Sequence, residues 1–320
     1  MHKRRLGNTN LYTAPIVFGG NVFGWTLNEK ESFEMLDEIL ASGFNTIDTA
    51  DVYSRWAEGN QGGESETILG KWMKDRGNRD QVNIITKVGA DMGQGHKDLT
   101  EEYILQAANA SLKRLQVEQI DLYLTHWDDN RTPVEETLGA YQKLIEMGKV
   151  KYIGASNLTP DRLKASLKAS AQHGLPRYEV FQPEYNLYAR QGFEEGVASI
   201  CKEEGLGVIS YFSLASGFLS GKYRSKEDFE GKARAMFAEK YLDERGKNIL
   251  EALDDVAAKH NVSQAGVALA WLVNKPVVTA PIASATQSKH LQAFIEASQL
   301  ELSEADMEQL DEASAYMEKV

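Results

Sequence analysis

Short apolar runs alternate with longer amphipathic stretches along the whole chain. The first run, 16–18, is closed by Gly19 and Gly20 and reads as a strand. Beyond it Phe33, Leu36 and Leu40 share one face at helical spacing, and Gly43 stops the pattern. The runs 44–47, 82–86, 120–125, 150–155, 180–181, 208–210 and 277–279 read as seven further strands. Helical patterns fall between them at 65–74, 100–114, 194–204, 248–259 and 263–274. In 100–114, Ile104, Ala108 and Leu112 line one face, and Lys113 and Arg114 suit the C-terminal end of the helix dipole. Two more helices carry a shared start signal. Thr132-Pro133 predicts an N-cap and a first-turn proline, with Glu135 completing a capping box; Thr159-Pro160 repeats the signal. A polar segment, 213–244, interrupts the rhythm after the seventh strand.

Strands alternating with helices predict a parallel sheet covered by helices. Eight such units favour a closed (β/α)8 TIM barrel, an α/β fold, over an open doubly wound sheet. Residues 3–14 hold the turn signal Gly7-Asn8 and predict a small β-hairpin outside the barrel. The patterns at 288–298 and 303–316 predict extra C-terminal helices. No composition break looks like a linker, so one domain is expected over 1–320.

Charge then narrows the partners. The formal net charge of −12 argues against nucleic acid and against anionic membranes. Cys201 is the one cysteine, so no intrachain disulfide forms, which fits a reducing, cytoplasmic setting. The basic first ten residues have no apolar segment behind them, and no run approaches the roughly 20 residues of a membrane span.

In a barrel of this kind chemistry sits at the C-terminal ends of the strands. The residues there are Asp48, Lys87, His126, Ser156 with Asn157, Gln182 and Tyr211. Barrel closure gathers them around one mouth. Asp48 and Lys87 on neighbouring strands can pair, and Tyr53, five residues past Asp48, can fold back over them. A phenol titrates near ~10, and a nearby ammonium lowers that value. His126 can donate a hydrogen bond to a substrate oxygen. The set describes an acid poised to protonate a developing alkoxide. Singly, each residue is more often an N-cap, a solvated lysine or a packing aromatic; convergence on one face is what points to chemistry. The six histidines show no metal-ligand spacing, and no metal is expected.

Several segments resemble the aldo-keto reductase family. They are Asp48-Thr49-Ala50-Asp51-Val52-Tyr53-Ser54, Ile85-Thr86-Lys87-Val88 and Ile120-Asp121-Leu122-Tyr123-Leu124-Thr125-His126-Trp127, with Ile153-Gly154-Ala155-Ser156-Asn157 and Phe181-Gln182-Pro183-Glu184-Tyr185-Asn186. The resemblance covers nearly the whole chain and lies toward the branch of bacterial aldo/keto reductases and potassium-channel β-subunit-like barrels. It implies NAD(P)H-dependent reduction of an aldehyde or ketone, with Tyr53 as general acid, Lys87 lowering its pKa, Asp48 positioning Lys87 and His126 orienting the carbonyl. It further implies that Ser156, Asn157 and Gln182 hold the nicotinamide carboxamide, that Tyr211 stacks on its ring, and that Gly20 and Asn21 line the site.

By the same resemblance Ser213, Leu214, Ala215, Ser216 and Gly217 wrap the pyrophosphate, and Lys222 and Arg234 are candidate phosphate contacts. Ser284, Thr286, Gln287 and His290 fall in the adenosine-phosphate segment. The chain departs from the commoner pattern at Ser213, where proline is usual, at Ser284, where glycine is frequent, and at His290, where glutamine is usual. Ala293 and Phe294 likewise replace an acid and an amide. NADPH is the expected coenzyme, from Thr286, Gln287, Lys222 and Arg234 around a 2′-phosphate, and NADH is the alternative. Trp25, Trp56 and Trp127, with Arg55, are candidates for the wall of a pocket for a small carbonyl substrate. A slow, sensing NADP(H)-binding barrel subunit is a second reading, and a lyase using Lys87 as a Schiff-base amine a third. The latter leaves Tyr53 and the nicotinamide segments unexplained. Physiological substrate, direction and oligomeric state stay open.

Overall fold

Eight short strands close on themselves: β3 (Val17–Gly19), β4 (Thr46–Asp48), β5 (Asn83–Val88), β6 (Ile120–Thr125), β7 (Val150–Ser156), β8 (Tyr178–Gln182), β9 (Gly207–Ser210) and β10 (Ala280–Ala283). The computed structural model describes residues 2–230 and 238–316. Around the barrel the order is β10-β3-β4-β5-β6-β7-β8-β9, and every pairing is parallel. Helices α1 (Glu29–Ala41), α2 (Glu64–Arg76), α3 (Glu101–Leu115), α4 (Val134–Glu146), α5 (Pro160–His173) and α6 (Ala198–Glu203) follow the successive strands, and α7 (Glu244–His260) and α8 (Gln264–Val273) come before the last. Two more, α9 (Ser288–Gln299) and α10 (Glu304–Ala313), follow β10. No helix among the described residues is long and apolar enough to cross a membrane.

The two faces of each strand build two cores, as the period of 2 requires. Val17, Ile85, Leu122, Leu124, Val180 and Ile209 pack inside the barrel. Their chain neighbours, such as Phe18, Ile84, Tyr123 and Val208, pack outward under the helices. The N-terminal hairpin, β1 (Arg4–Arg5) with β2 (Tyr12–Thr13), joins the inner group. Leu6 and Leu11, in its loop, are buried among those interior side chains. Gly7 (φ 55°) backs so closely on the Glu179 carbonyl that a Cβ there would sit 2.1 Å from the oxygen. The hairpin adds no strand to the barrel, but it closes the N-terminal end as a floor.

Two expectations are corrected. The last strand is Ala280–Ala283, not 277–279. Val278 turns back onto the Lys275 carbonyl, and pairing begins only as Thr279 donates to Val208 O. Pro281, opposite Ser210, brings no N–H to the ladder, and Ser213 Oγ reaches the Ser210 carbonyl at 3.1 Å. Thr132 is not an N-cap. Its hydroxyl is taken by Asp129 Oδ2 at 2.6 Å, and α4 begins after Pro133 with no side-chain cap and no capping box. Thr159 does cap α5, accepting from Arg162 N with Pro160 in the first turn. Parts of the polar segment 213–244 are packed. Within it 215–220 forms a turn that buries Phe218 and Leu219, and Tyr241 is buried as well.

Candidate active site

Asp48 is the last residue of β4, and Lys87 is the fifth of the six in neighbouring β5. Register brings both to the C-terminal end of the barrel, where their side chains are 1 % and 0 % exposed. Burying two charges is tolerable only when they pair and their remaining hydrogen-bond capacity is filled. Lys87 meets that condition with all three ammonium protons. Nζ donates to Asp48 Oδ1 at 2.6 Å, to Thr49 O at 2.8 Å and to Tyr53 Oη at 2.9 Å.

Tyr53 arrives from the loop after β4. A turn closed by Tyr53 N to Ala50 O sends the chain back, and Ser54 (φ 70°) donates its hydroxyl to Phe23 O at 2.6 Å. Tyr53 Oη then donates to Asp48 Oδ1 at 3.1 Å, while the Lys87 ammonium lies 4.5 Å from the ring centre. Burial, then the charge and hydrogen bond of Asp48, push the phenol well above its ordinary value. The expected lowering by Lys87 is opposed here by burial and by Asp48, and the group stands as a phenol. Burial lowers Lys87 itself, against the upward pull of Asp48.

His126 follows β6, its ring 6.1 Å from that of Tyr53 and stacked at 3.6 Å on Trp127. Burial first, then Lys87 and Lys97, hold the imidazole well below its ordinary value, so it is neutral. Its Nδ1 is buried with no hydrogen-bond partner. An unpaired acceptor there costs less than an unpaired N–H, which assigns the proton to Nε2.

The strand ends on the far side join the same network. Tyr211 Oη donates to Asn157 Oδ1 at 2.8 Å. Asn157 Nδ2 donates to His126 O and Ser156 Oγ, both at 3.0 Å. Ser156 Oγ donates to Gln182 O, and Gln182 Nε2 to Asp48 Oδ2, both at 2.8 Å. Beside these, Ser284 Oγ lies 2.7 Å from both Gly19 O and Asn21 Oδ1, and Ser65 Oγ donates to Gly20 O.

The loop after β9 is the most contorted backbone in the barrel mouth. Phe212, Ala215 and Ser216 adopt left-handed conformations (φ 53°, 46° and 57°), followed by Gly217 at 93°. A Cβ on Gly217 would come within 2.9 Å of Lys222 Nζ, so glycine lets that lysine lie across the loop. Leu214 is half-buried and Ser213 buried beneath it. Arg234 lies outside the described residues. Thr286, Gln287 and His290 stand at the start of α9, where Thr286 N donates to His290 Nδ1 at 3.4 Å. At the rim, Trp25 and Trp56 meet edge to face at 5.6 Å, and Trp56 leans on Tyr53 at 6.0 Å.

Sequence reasoning missed two features. Thr49 serves Lys87 through its carbonyl, for which no side-chain signal exists. Asp51, visible only as a motif letter, is a buried carboxyl with neither oxygen hydrogen-bonded.

Comparison with known proteins adds relatives to this geometry. The pattern of the Aldo/keto reductase family matches residues 15–315. The chain is similar to a probable aldo-keto reductase 1 from Glycine max, 33 % identical over 97 % of this chain and 88 % of that protein. It is similar to the protein tas of Escherichia coli, 29 % identical over 99 % of each. It also resembles a norsolorinic acid reductase of Aspergillus flavus, 31 % identical over 98 % of this chain and 81 % of the other.

Proposed function

The chain belongs to the aldo/keto reductase family, whose members are nicotinamide-dependent oxidoreductases of small carbonyl compounds, and on that premise we propose that it reduces an aldehyde or ketone with Tyr53 as general acid. The observation that carries the proposal is the convergence of Asp48, Lys87 and Tyr53 within 3.1 Å of one another at the mouth of the barrel.

When bound, the cofactor supplies hydride to the carbonyl carbon. The protein's part is the proton. His126 donates Nε2–H to the carbonyl oxygen and holds it toward Tyr53. As negative charge grows on that oxygen, the Tyr53 hydroxyl turns from Asp48 Oδ1 to it and releases its proton, and the C–OH group is complete. An alkoxide is an intrinsically stronger base than a phenolate, so a phenol is a competent proton donor to it. The phenolate left behind faces the Lys87 ammonium at 2.9 Å, which compensates the new charge without rearrangement.

The mouth suits a dinucleotide. Non-glycine residues in the left-handed region cost about 1 kcal/mol each, and such strain concentrates where a ligand is clamped. Ala215-Ser216-Gly217 with Lys222 across them fits a pyrophosphate. Ser156, Asn157, Gln182 and Tyr211 are assigned to the nicotinamide side, with Gly20, Asn21 and Ser284 lining it. NADPH is the proposed coenzyme: Lys222, Thr286, Gln287 and His290 are assigned to the phosphates, and Arg234 joins them from the sequence alone. Trp25, Trp56 and Trp127 form the proposed substrate wall.

The test is NADPH and NADH consumption with 4-nitrobenzaldehyde, beside tryptophan-fluorescence titration of each coenzyme. Tyr53→Phe is expected to bind coenzyme as the wild type does and to lose turnover by about 10²–10⁴-fold. Full turnover in that variant refutes the role of Tyr53. Binding without turnover in the wild type would make the chain a cofactor-binding regulatory barrel instead.

A further inference from the structure

The ring order places β4 and β8 on opposite sides of the barrel, four strands apart in either direction. Their last residues nevertheless touch: Gln182 Nε2 donates to Asp48 Oδ2 at 2.8 Å across the barrel axis, in a buried hydrogen bond. The orientation of the amide follows from its partner. An ionised carboxylate only accepts, so the NH2 end must face it. The contact divides the labour of Asp48 between its two oxygens. Oδ1 receives Lys87 and Tyr53, and Oδ2 receives Gln182.

A carboxylate held by one oxygen can rotate about its Cβ–Cγ bond; one held by both cannot. The same glutamine also receives Ser156 Oγ on its backbone carbonyl, and Ser156 is bonded to Asn157, and Asn157 to Tyr211. One unbroken chain of hydrogen bonds therefore runs from Tyr211 on one side of the mouth to the Lys87–Tyr53 pair on the other, and Gln182 is its junction. The second end of the amide, Oε1, carries no hydrogen bond among the described residues, so it is available to a bound group while Nε2 stays on Asp48.

We propose that Gln182 is a positioning residue for the proton transfer: it fixes the orientation of Asp48 across the barrel, and thereby ties the seating of the coenzyme to the alignment of Lys87 and Tyr53. This rests on the reductase reading given above. It gives Gln182 a task directed at the acid, separate from any contact with the coenzyme. Without the amide, Oδ2 is a buried acceptor with no donor, and Asp48 turns to find one. Oδ1 then leaves its position between Lys87 and Tyr53, and misplacement on this scale costs rate more than affinity.

The experiment is a kinetic double-mutant cycle of Gln182→Met, which keeps the side-chain length, with Asp48→Asn, with kcat and the coenzyme KM read over a range of NADPH at saturating 4-nitrobenzaldehyde. Gln182→Met alone is expected to lower kcat by about 10-fold or more. In the Asp48→Asn background the same change is expected to lower it by less than about 2-fold, because the residue it acts through is already altered. Equal losses in both backgrounds overturn the proposal. So does a rise in coenzyme KM with kcat unchanged, which would make Gln182 a coenzyme contact only. Should Gln182→Met fail to fold, Gln182→Asn keeps the amide but cannot span the gap, and carries the same expectations. Absence of turnover in the wild type would sink the reductase reading, an outcome distinct from additivity in an active enzyme.

Discussion

Asp51 offers a sharp physical test of the buried charge balance beside the barrel mouth, through Asp51→Asn. Asp51 is 2 % exposed and neither carboxyl oxygen has a hydrogen-bond partner. Burial, then the charge of Glu66 on α2, push its pKa from the ordinary 3.8 up to about 8. Three groups pull the other way. Arg114 on α3 is engaged by Glu66 at 2.6 Å, Lys87 on β5 has given its protons elsewhere, and the Val52 N–H is near but makes no acceptable hydrogen bond. At neutral pH the folded protein therefore holds a proton that the unfolded chain releases. Stability is highest below the unfolded pKa and falls as pH rises toward the folded one. The slope is about 1.4 kcal/mol per pH unit, on the order of 5 kcal/mol over the window from about 4 to 8. Asparagine has the same shape and does not titrate. Urea unfolding of both proteins from about pH 5 to 9 cancels the titrations they share in the difference. The advantage of Asp51→Asn should grow by about 1.4 kcal/mol per unit and level off above about pH 8. A difference that stays constant with pH would show that Asp51 is ionised in the fold, and would refute the reasoning.

Two further expectations follow from the same geometry. Because burial, Lys87 and Lys97 keep His126 neutral, kcat/KM for reduction should be flat between about pH 6 and 7.5; a fall centred on the ordinary imidazole value of 6.5 would mean that His126 titrates where the structure forbids it. Leu6→Ala should cost about 2–5 kcal/mol in urea unfolding, because the side chain is fully buried in the floor of the barrel; an unchanged midpoint would mean the hairpin is not part of the folding unit.

The sequence made the barrel legible because its strands are apolar on both faces and its helices on one, so the two periods do not blur. The polar residue ending each run was legible for the same reason: Asp48, Lys87, His126 and Gln182 each break an apolar stretch. Failures came where local pattern and tertiary need part company. Ala280–Ala283 has a proline and two alanines, and is a strand only because β9 and β3 flank it. Thr132 has every mark of a cap, but Asp129, three residues earlier, claims its hydroxyl. The contact between Gln182 and Asp48 joins residues 134 apart in sequence, and no spacing rule announces a meeting across a barrel's diameter.

The hairpin floor has a consequence for traffic. Leu6 and Leu11 seal one end of the barrel with hydrocarbon, and the layers of Val17, Ile85 and Leu124 above them continue the seal. Whatever exchanges between Lys87 or Tyr53 and solvent must pass the opposite rim, which is also the proposed doorway for coenzyme and substrate. A filled doorway leaves no back entrance for water. The barrel is thus a vessel with one mouth: on the proposed chemistry each reduction would draw on the single proton loaded on Tyr53 beforehand, and reloading would wait until the mouth is open again.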